Sequence, residues 1–164
     1  MADPTELLAA LQPILDHLRR VDPSRADFDA QAREQDLESQ FPLDGPELSH
    51  VRVLVEAGLE EGWLCPRESG GVRFGRLAKA SQATHGFAID AVDMSGPGPG
   101  HTHPKGEIDL CLPLTGQPTF DGRPPGWTLY GPDSWHVPTV SGGRMAILYF
   151  LPGGEIRFEP QPAA

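Results

Sequence analysis

Past residue 62 glycine and proline break the chain so often that no long helix can form there. The two residue types make up 37 of the 164 positions, and most lie in this second part. Proline removes a backbone donor and glycine favours turns, so what remains between them is short. These short pieces alternate apolar and polar side chains, the period of a strand with one buried face. Candidate strands are 71–77, 83–94, 99–104, 107–114, 126–130, 135–140, 144–151 and 154–159. Many short strands with Gly/Pro turns predict a mainly β chain built as an antiparallel sandwich or barrel.

The first 63 residues read differently. Asp3-Pro4-Thr5-Glu6 is a helix start: a capping side chain, proline in the first turn and a carboxylate three residues on. Leu7, Leu8, Leu11, Ile14, Leu15 and Leu18 then recur at helical spacing, with Pro13 expected to kink or break the stripe. Residues 24–39 are weakly patterned and fit a polar helix at most. Asp44-Gly45-Pro46-Glu47 repeats the start signal, Leu48, Val51, Leu54, Val55 and Leu59 follow as an apolar face, and Gly62 suits the end. The expected division is a helical region over 1–65 and a barrel over 66–164. His17 and His50 read as surface residues of the helical part.

Residues 1–65 carry 14 acidic and 5 basic side chains, whereas residues 66–164 carry 9 and 8. No stretch offers the cationic face a nucleic-acid partner requires, and the acidic helical region reads as a solvated surface. No segment approaches the ~20 apolar residues of a membrane helix. The start MADPTELL has neither a basic run nor a long apolar one, so no signal peptide and a cytoplasmic location are expected. Cys65 and Cys111 are too few for a disulfide framework.

The chemistry concentrates in Gly100-His101-Thr102-His103-Pro104-Lys105-Gly106-Glu107. Residues two apart on a strand point the same way, so His101 and His103 project together. A turn over 104–106 lets Glu107, opening the next strand, reach back to the same point. His136, in Tyr130-Gly131-Pro132-Asp133-Ser134-Trp135-His136, is the candidate fourth ligand. Imidazole and carboxylate suit one divalent Fe, Mn, Zn, Ni or Co ion, with a position left open for water or substrate. Against this stands the ordinary fate of a His-x-His pair in a turn, which is to be solvated.

The order His-x-His, three residues, Glu, then a distant Pro-x-x-x-His resembles the two cupin motifs, and residues 95–140 carry the match. Ser95 and Leu114 stand where those motifs have glycine, and Val140 where the second has asparagine. The resemblance implies a double-stranded β-helix, or jelly-roll barrel, preceded by the short helical region. GPGHTHPKGEIDLCLPL, FDG, GWTLYGPDSWHVPTV and LYFLPGGEIRF are more closely similar to the 4-hydroxylaminobenzoate lyase family, small bacterial cupins with a helical N-terminal region.

Alternation places Asp109 and Cys111 on the same side as Glu107. Ile108, Leu110, Leu112 and Leu114 face away, to be covered by the helical region or a second subunit. Asp109 and Glu107 are therefore the candidate catalytic carboxylates, and Cys111 reads as a small core residue. His85, Arg76, Lys105, Tyr130 and Trp135 are candidate substrate contacts. Arg76 and Lys105 would grip a carboxylate, and the two aromatic residues would stack on a ring. Arg73 and Arg76 are an odd number apart, so at most one reaches the cavity. Trp127 and Tyr149 read first as core.

The lyase resemblance implies conversion of 4-hydroxylaminobenzoate, or a similar small aromatic acid, to 3,4-dihydroxybenzoate with release of ammonia. A cupin dioxygenase using Fe(II) is the second enzymatic expectation, and a non-catalytic small-molecule-binding cupin the third. Apolar strand faces make a homodimer the expected assembly.

Overall fold

The computed structural model describes residues 2–163. Three helices come first: α1 (Pro4–Leu18), α2 (Ala30–Gln40) and α3 (Pro46–Glu61). Nine strands follow: β1 (Arg67–Ser69), β2 (Val72–Ala78), β3 (Phe87–Met94), β4 (His101–His103), β5 (Glu107–Phe120), β6 (Gly126–Tyr130), β7 (Ser134–His136), β8 (Val140–Pro152) and β9 (Arg157–Phe158). The strands form a six-stranded sheet in the order β1-β2-β3-β8-β5-β6 and a three-stranded sheet in the order β7-β4-β9. All named pairings are antiparallel. A mainly β architecture of antiparallel sheets, with a helical region ahead of it, is as expected.

Local signals explain the helices. Asp3 accepts the Glu6 amide at 3.0 Å and Glu6 accepts the Asp3 amide at 3.3 Å, a reciprocal cap on α1. Of the two expected outcomes at Pro13, a break does not occur: α1 continues through it. It lies on the exposed side, where water can serve the carbonyl it leaves free, while Leu7, Leu11, Ile14, Leu15 and Leu18 are all buried. His17 is not a free surface residue either: its Nε2 lies 2.7 Å from Asp36 of α2 and its ring meets Phe41 edge-on. His50 is exposed. Helix α3 starts at Pro46 and ends at Gly62, whose φ of 83° completes the left-handed cap.

Helices and large sheet share one core. The buried stripes of α1 and α3 pack with Phe87, Ile89, Ala91, Ile108, Leu110, Leu112, Ala146, Leu148 and Phe150 from the sheet's outer face. The inner face carries Cys111, Ile147, Tyr149 and Leu151, together with Val72, Met94, Phe120, Val140 and Met145. The cover that the apolar side of β5 requires thus comes from the chain's own helices.

Helix α2 explains why residues 24–39 show so little pattern. Only Leu37 and Glu34 of it are buried. Its work is polar: Glu38 accepts the Trp127 amide at 2.8 Å and Glu34 accepts the Leu129 amide at 3.1 Å. Strand β6 is the edge of the sheet, and these amides would otherwise lack partners. Four helical residues rise about 6 Å and two strand residues about 6.7 Å, so the carboxylates match alternate strand amides. Arg123 pairs with Glu34 and supports it from the other side. Gly126, at φ 124°, lets Glu38 come this close; a Cβ there would collide with the carboxylate.

Candidate metal centre

The small sheet gathers three imidazoles by register alone. His101 and His103 are two apart on β4, and His136 on β7 is the direct antiparallel partner of His101. Partners opposite one another share a face, so all three rings project to one side. Glu107 comes from the other sheet. A turn closed by the Gly106 amide on the His103 carbonyl, 3.1 Å, brings it there. Gly106 needs its φ of 78°, and a Cβ would stand 2.6 Å from the Pro23 carbonyl oxygen. His103 and Glu107 are fully buried and His101 is 4% exposed.

One ligand atom from each of His101, His103, Glu107 and His136 lies within 4.8 Å of the others. His103 Nε2 is 2.8 Å from Glu107 Oε2, and His136 Nε2 is 2.8 Å from Glu107 Oε1. Yet both Glu107 oxygens and both His103 nitrogens lack an aligned hydrogen-bond partner. The atoms are close without pointing their protons and lone pairs at one another. Donor atoms converging on a shared point, three nitrogens and a carboxylate, suit a divalent cation. The group is able to bind a metal.

Charge around the cluster agrees with that. Burial, then the neighbouring His103, lowers His101 to about 4, so its imidazole is neutral and free to coordinate. Burial pushes the Glu107 carboxyl up, but the two imidazoles pressed against it more than reverse this and bring it to about 2. Burial works against a charged His136, yet Asp121 and then Glu107 raise it to about 9.

The inner face of the large sheet supplies a polar floor. Arg76, Asp90, Tyr149, Asp109 and Thr128 are successive cross-strand partners along β2, β3, β8, β5 and β6, and so form one transverse row. Asp109 and Thr128 are fully buried, and both Asp109 oxygens and Thr128 Oγ1 have no hydrogen-bond partner. Burial, then the Glu107 charge beside it, pushes the Asp109 carboxyl well above the usual carboxylate range. The Tyr149 ring stacks on His103 with centroids 6.2 Å apart. Cys111 is fully buried, and burial pushes its thiol well above the usual range.

The candidate substrate contacts separate. Arg76 holds Asp90 through two bonds of 2.7 and 3.2 Å, with its side chain 43% exposed. Lys105 pairs with Glu155 at 3.2 Å and is 49% exposed. Both reach the Gly153-Gly154 turn: a Cβ on Gly153 would lie 3.8 Å from Lys105 Nζ, and one on Gly154 3.3 Å from the Arg76 guanidinium. Arg73 goes the other way, to Asp93 and the Leu59 carbonyl beside α3. Tyr130 is the cross-strand partner of Glu107 and packs 4.6 Å from His136. Two expected contacts are placed elsewhere. Trp135 partners Thr102 on the face of the small sheet opposite the imidazoles, where its Nε1 donates to the Glu159 carbonyl. His85 is drawn to Asp16 of α1 at 2.8 Å. Strand alternation foretells the first; the second needs a contact 69 residues away in the chain.

Asp121 is a further residue of the site, with no ligand or catalytic pattern around it in the sequence. It sits in the β5–β6 turn at φ 51° and is bonded to His136 Nδ1 at 2.7 Å. The FDG turn was its only trace in the sequence.

Residues 17–158 match the family described as PnbB, 4-hydroxylaminobenzoate lyase. The chain belongs to that family. A 4-hydroxylaminobenzoate lyase from Nocardioides sp. (strain LMS-CY) is 31% identical over 174 aligned positions, covering 100% of this chain and 99% of that one. Its namesake from Pseudomonas putida is 29% identical, covering 76% and 81%. A solved oxalate oxidase aligns at 17% identity and a TM-score of 0.40 over 56% of each chain. The lyase family and its relatives indicate an enzyme.

Proposed function

We propose that the protein is a metal-dependent lyase that converts 4-hydroxylaminobenzoate and water to 3,4-dihydroxybenzoate and ammonia. The observation that carries the reading is the cluster of three histidines and Glu107, set against a buried carboxyl, Asp109, that no protein group satisfies. Membership of the lyase family supports this substrate class.

His101, His103, Glu107 and His136 would hold one divalent ion, which when bound supplies a Lewis acid for the hydroxylamine oxygen. The N–O bond breaks and the oxygen, with a proton, leaves as water. A second water adds to the ring carbon beside the one bearing nitrogen. A third adds at the carbon–nitrogen bond of the resulting imine, ammonia departs, and loss of the ring proton restores the aromatic system. One water leaves and two enter, so the balance needs no oxidant or reductant. Asp109 Oδ would give and take back the proton: it is buried without a hydrogen-bond partner, and burial, then the charge of Glu107, favours its acid form. Arg76 and Lys105, half-exposed at one turn, would receive the substrate carboxylate.

The test is ammonia release from 4-hydroxylaminobenzoate by metal-loaded wild type and by His103→Ala. Turnover by wild type alone, without oxygen uptake, is expected. No turnover by wild type with any divalent ion would remove the lyase reading, and stoichiometric oxygen consumption would replace it with the dioxygenase.

A further inference from the structure

We infer that Asp121 is a positioning residue which fixes the tautomer of His136 and so aims its Nε2 lone pair into the ligand cluster. This rests on the metal-centre reading above.

The geometry is over-determined. Asp121 Oδ2 is 2.7 Å from His136 Nδ1 and accepts the Tyr130 hydroxyl at 2.7 Å. Asp121 Oδ1 accepts the Thr139 amide at 2.8 Å, and the Asp121 amide donates to the Thr139 carbonyl at 2.8 Å. Every donor in reach is thus directed at the carboxylate, which has no proton of its own to give. Nδ1 of His136 must therefore carry the hydrogen. The opposite nitrogen, Nε2, faces His101 Nε2 at 3.0 Å and Glu107 Oε1 at 2.8 Å. His101 is set the same way, with Nδ1 3.2 Å from the Pro99 carbonyl. A backbone carbonyl cannot be mutated away, so the orientation is tested at Asp121.

An amide is the informative replacement. Asn at 121 keeps a single acceptor oxygen. If that oxygen retains the Thr139 amide, its NH₂ meets His136 Nδ1 and favours the tautomer with hydrogen on Nε2, pointing into the cluster. Loss of such a supporting group typically weakens metal binding roughly 10- to 100-fold.

The experiment measures cobalt(II) and zinc affinity of wild type, Asp121→Asn and Tyr130→Phe by competition with a chromophoric chelator. Unfolding curves of the metal-free proteins accompany it, as does nitrogen-15 NMR of the histidine rings in zinc-loaded wild type. Asp121→Asn binding at least about tenfold more weakly, with metal-free stability held, and a protonated Nδ1 on His136 are expected. A few-fold weakening is expected for Tyr130→Phe, which removes one donor from Asp121. Equal affinity of folded Asp121→Asn and wild type overturns the inference while leaving the metal centre standing. Wild type that binds neither ion overturns the metal centre and the inference together. Should Asp121→Asn fail to fold, the wild-type spectrum decides, since hydrogen on His136 Nε2, or an Nδ1-bound metal, is fatal to the inference.

Discussion

Strand β5 runs with one face toward the helices and the other toward the small sheet, and the two faces obey different rules. Ile108, Leu110 and Leu112 point outward into an apolar core. Glu107, Asp109 and Cys111 point inward, equally buried, and the two carboxylates have oxygens that no protein group satisfies. Burial of the first set stabilises the fold by about 1.5–3 kcal/mol per large side chain. Burial of the second opposes stability unless something else, an ion or a substrate, completes it. One strand thus separates holding the protein together from doing its chemistry, at a spacing of one residue.

The largest effect is expected from damage to the outer face. Leu110→Ala should cost about 2–5 kcal/mol, because a fully buried side chain leaves a cavity the sheet cannot close. Urea unfolding checks this. Divalent-ion affinity of the folded variant should stay within about threefold of wild type, since the faces do not share partners. A large fall in affinity would show that the faces are not separable.

Next comes the inner face, read through its ligand. An ion supplied at a hundred times its dissociation constant should raise wild-type stability by about 2.7 kcal/mol. His103→Ala should lose that gain and should also lower ion-free stability, since one of the two imidazoles that offset burial of Glu107 is removed. Thermal melts with and without zinc separate the two. Asp109→Leu should move ion-free stability the opposite way. Replacing an unpaired buried carboxyl by an apolar side chain of similar size should stabilise the fold by about 1–3 kcal/mol and abolish turnover. A destabilised Asp109→Leu would mean that the carboxyl is structural.

The two faces also differ in how far the sequence discloses them. Period-two alternation in β5 is enough to assign Ile108, Leu110 and Leu112 to one side and Glu107, Asp109 and Cys111 to the other. The same rule, with the His-x-His spacing, assembles three of the ligand side chains; His136 stands out as a candidate fourth ligand by its residue type and its Gly/Pro turn, and register against His101 places it. What alternation cannot supply is a partner far away in the chain. Asp121 reaches His136 from a hairpin turn, His85 turns aside to Asp16, and His17 is taken up by Asp36. Each depends on where two elements come to rest, which local pattern does not encode. Strand 83–94 starts only at Phe87 because Ser81 and Thr84 exchange side-chain and backbone hydrogen bonds and hold a turn ahead of it. Helix α2 is the limiting case, since its apolar period is nearly absent and its place is set by carboxylates.

That helix offers the finest test of the comparison, because its charges serve the outer side rather than the pocket. Glu38 is exposed and accepts one amide of the edge strand, while Glu34 is buried and holds both an amide and Arg123. Glu38→Ala should therefore cost about 1 kcal/mol, near the net worth of one hydrogen bond that water can partly replace. Glu34→Ala should cost more, about 2–3 kcal/mol, because the Leu129 amide is left buried without a partner. Both losses should appear in chemical unfolding and leave ion affinity unchanged. If Glu38→Ala instead proved neutral while Glu34→Ala kept its cost, the strand edge would be protected by burial alone. Were both neutral, charge on the outer side would be as dispensable to stability as charge on the inner side, and the division drawn along β5 would hold for apolar residues only.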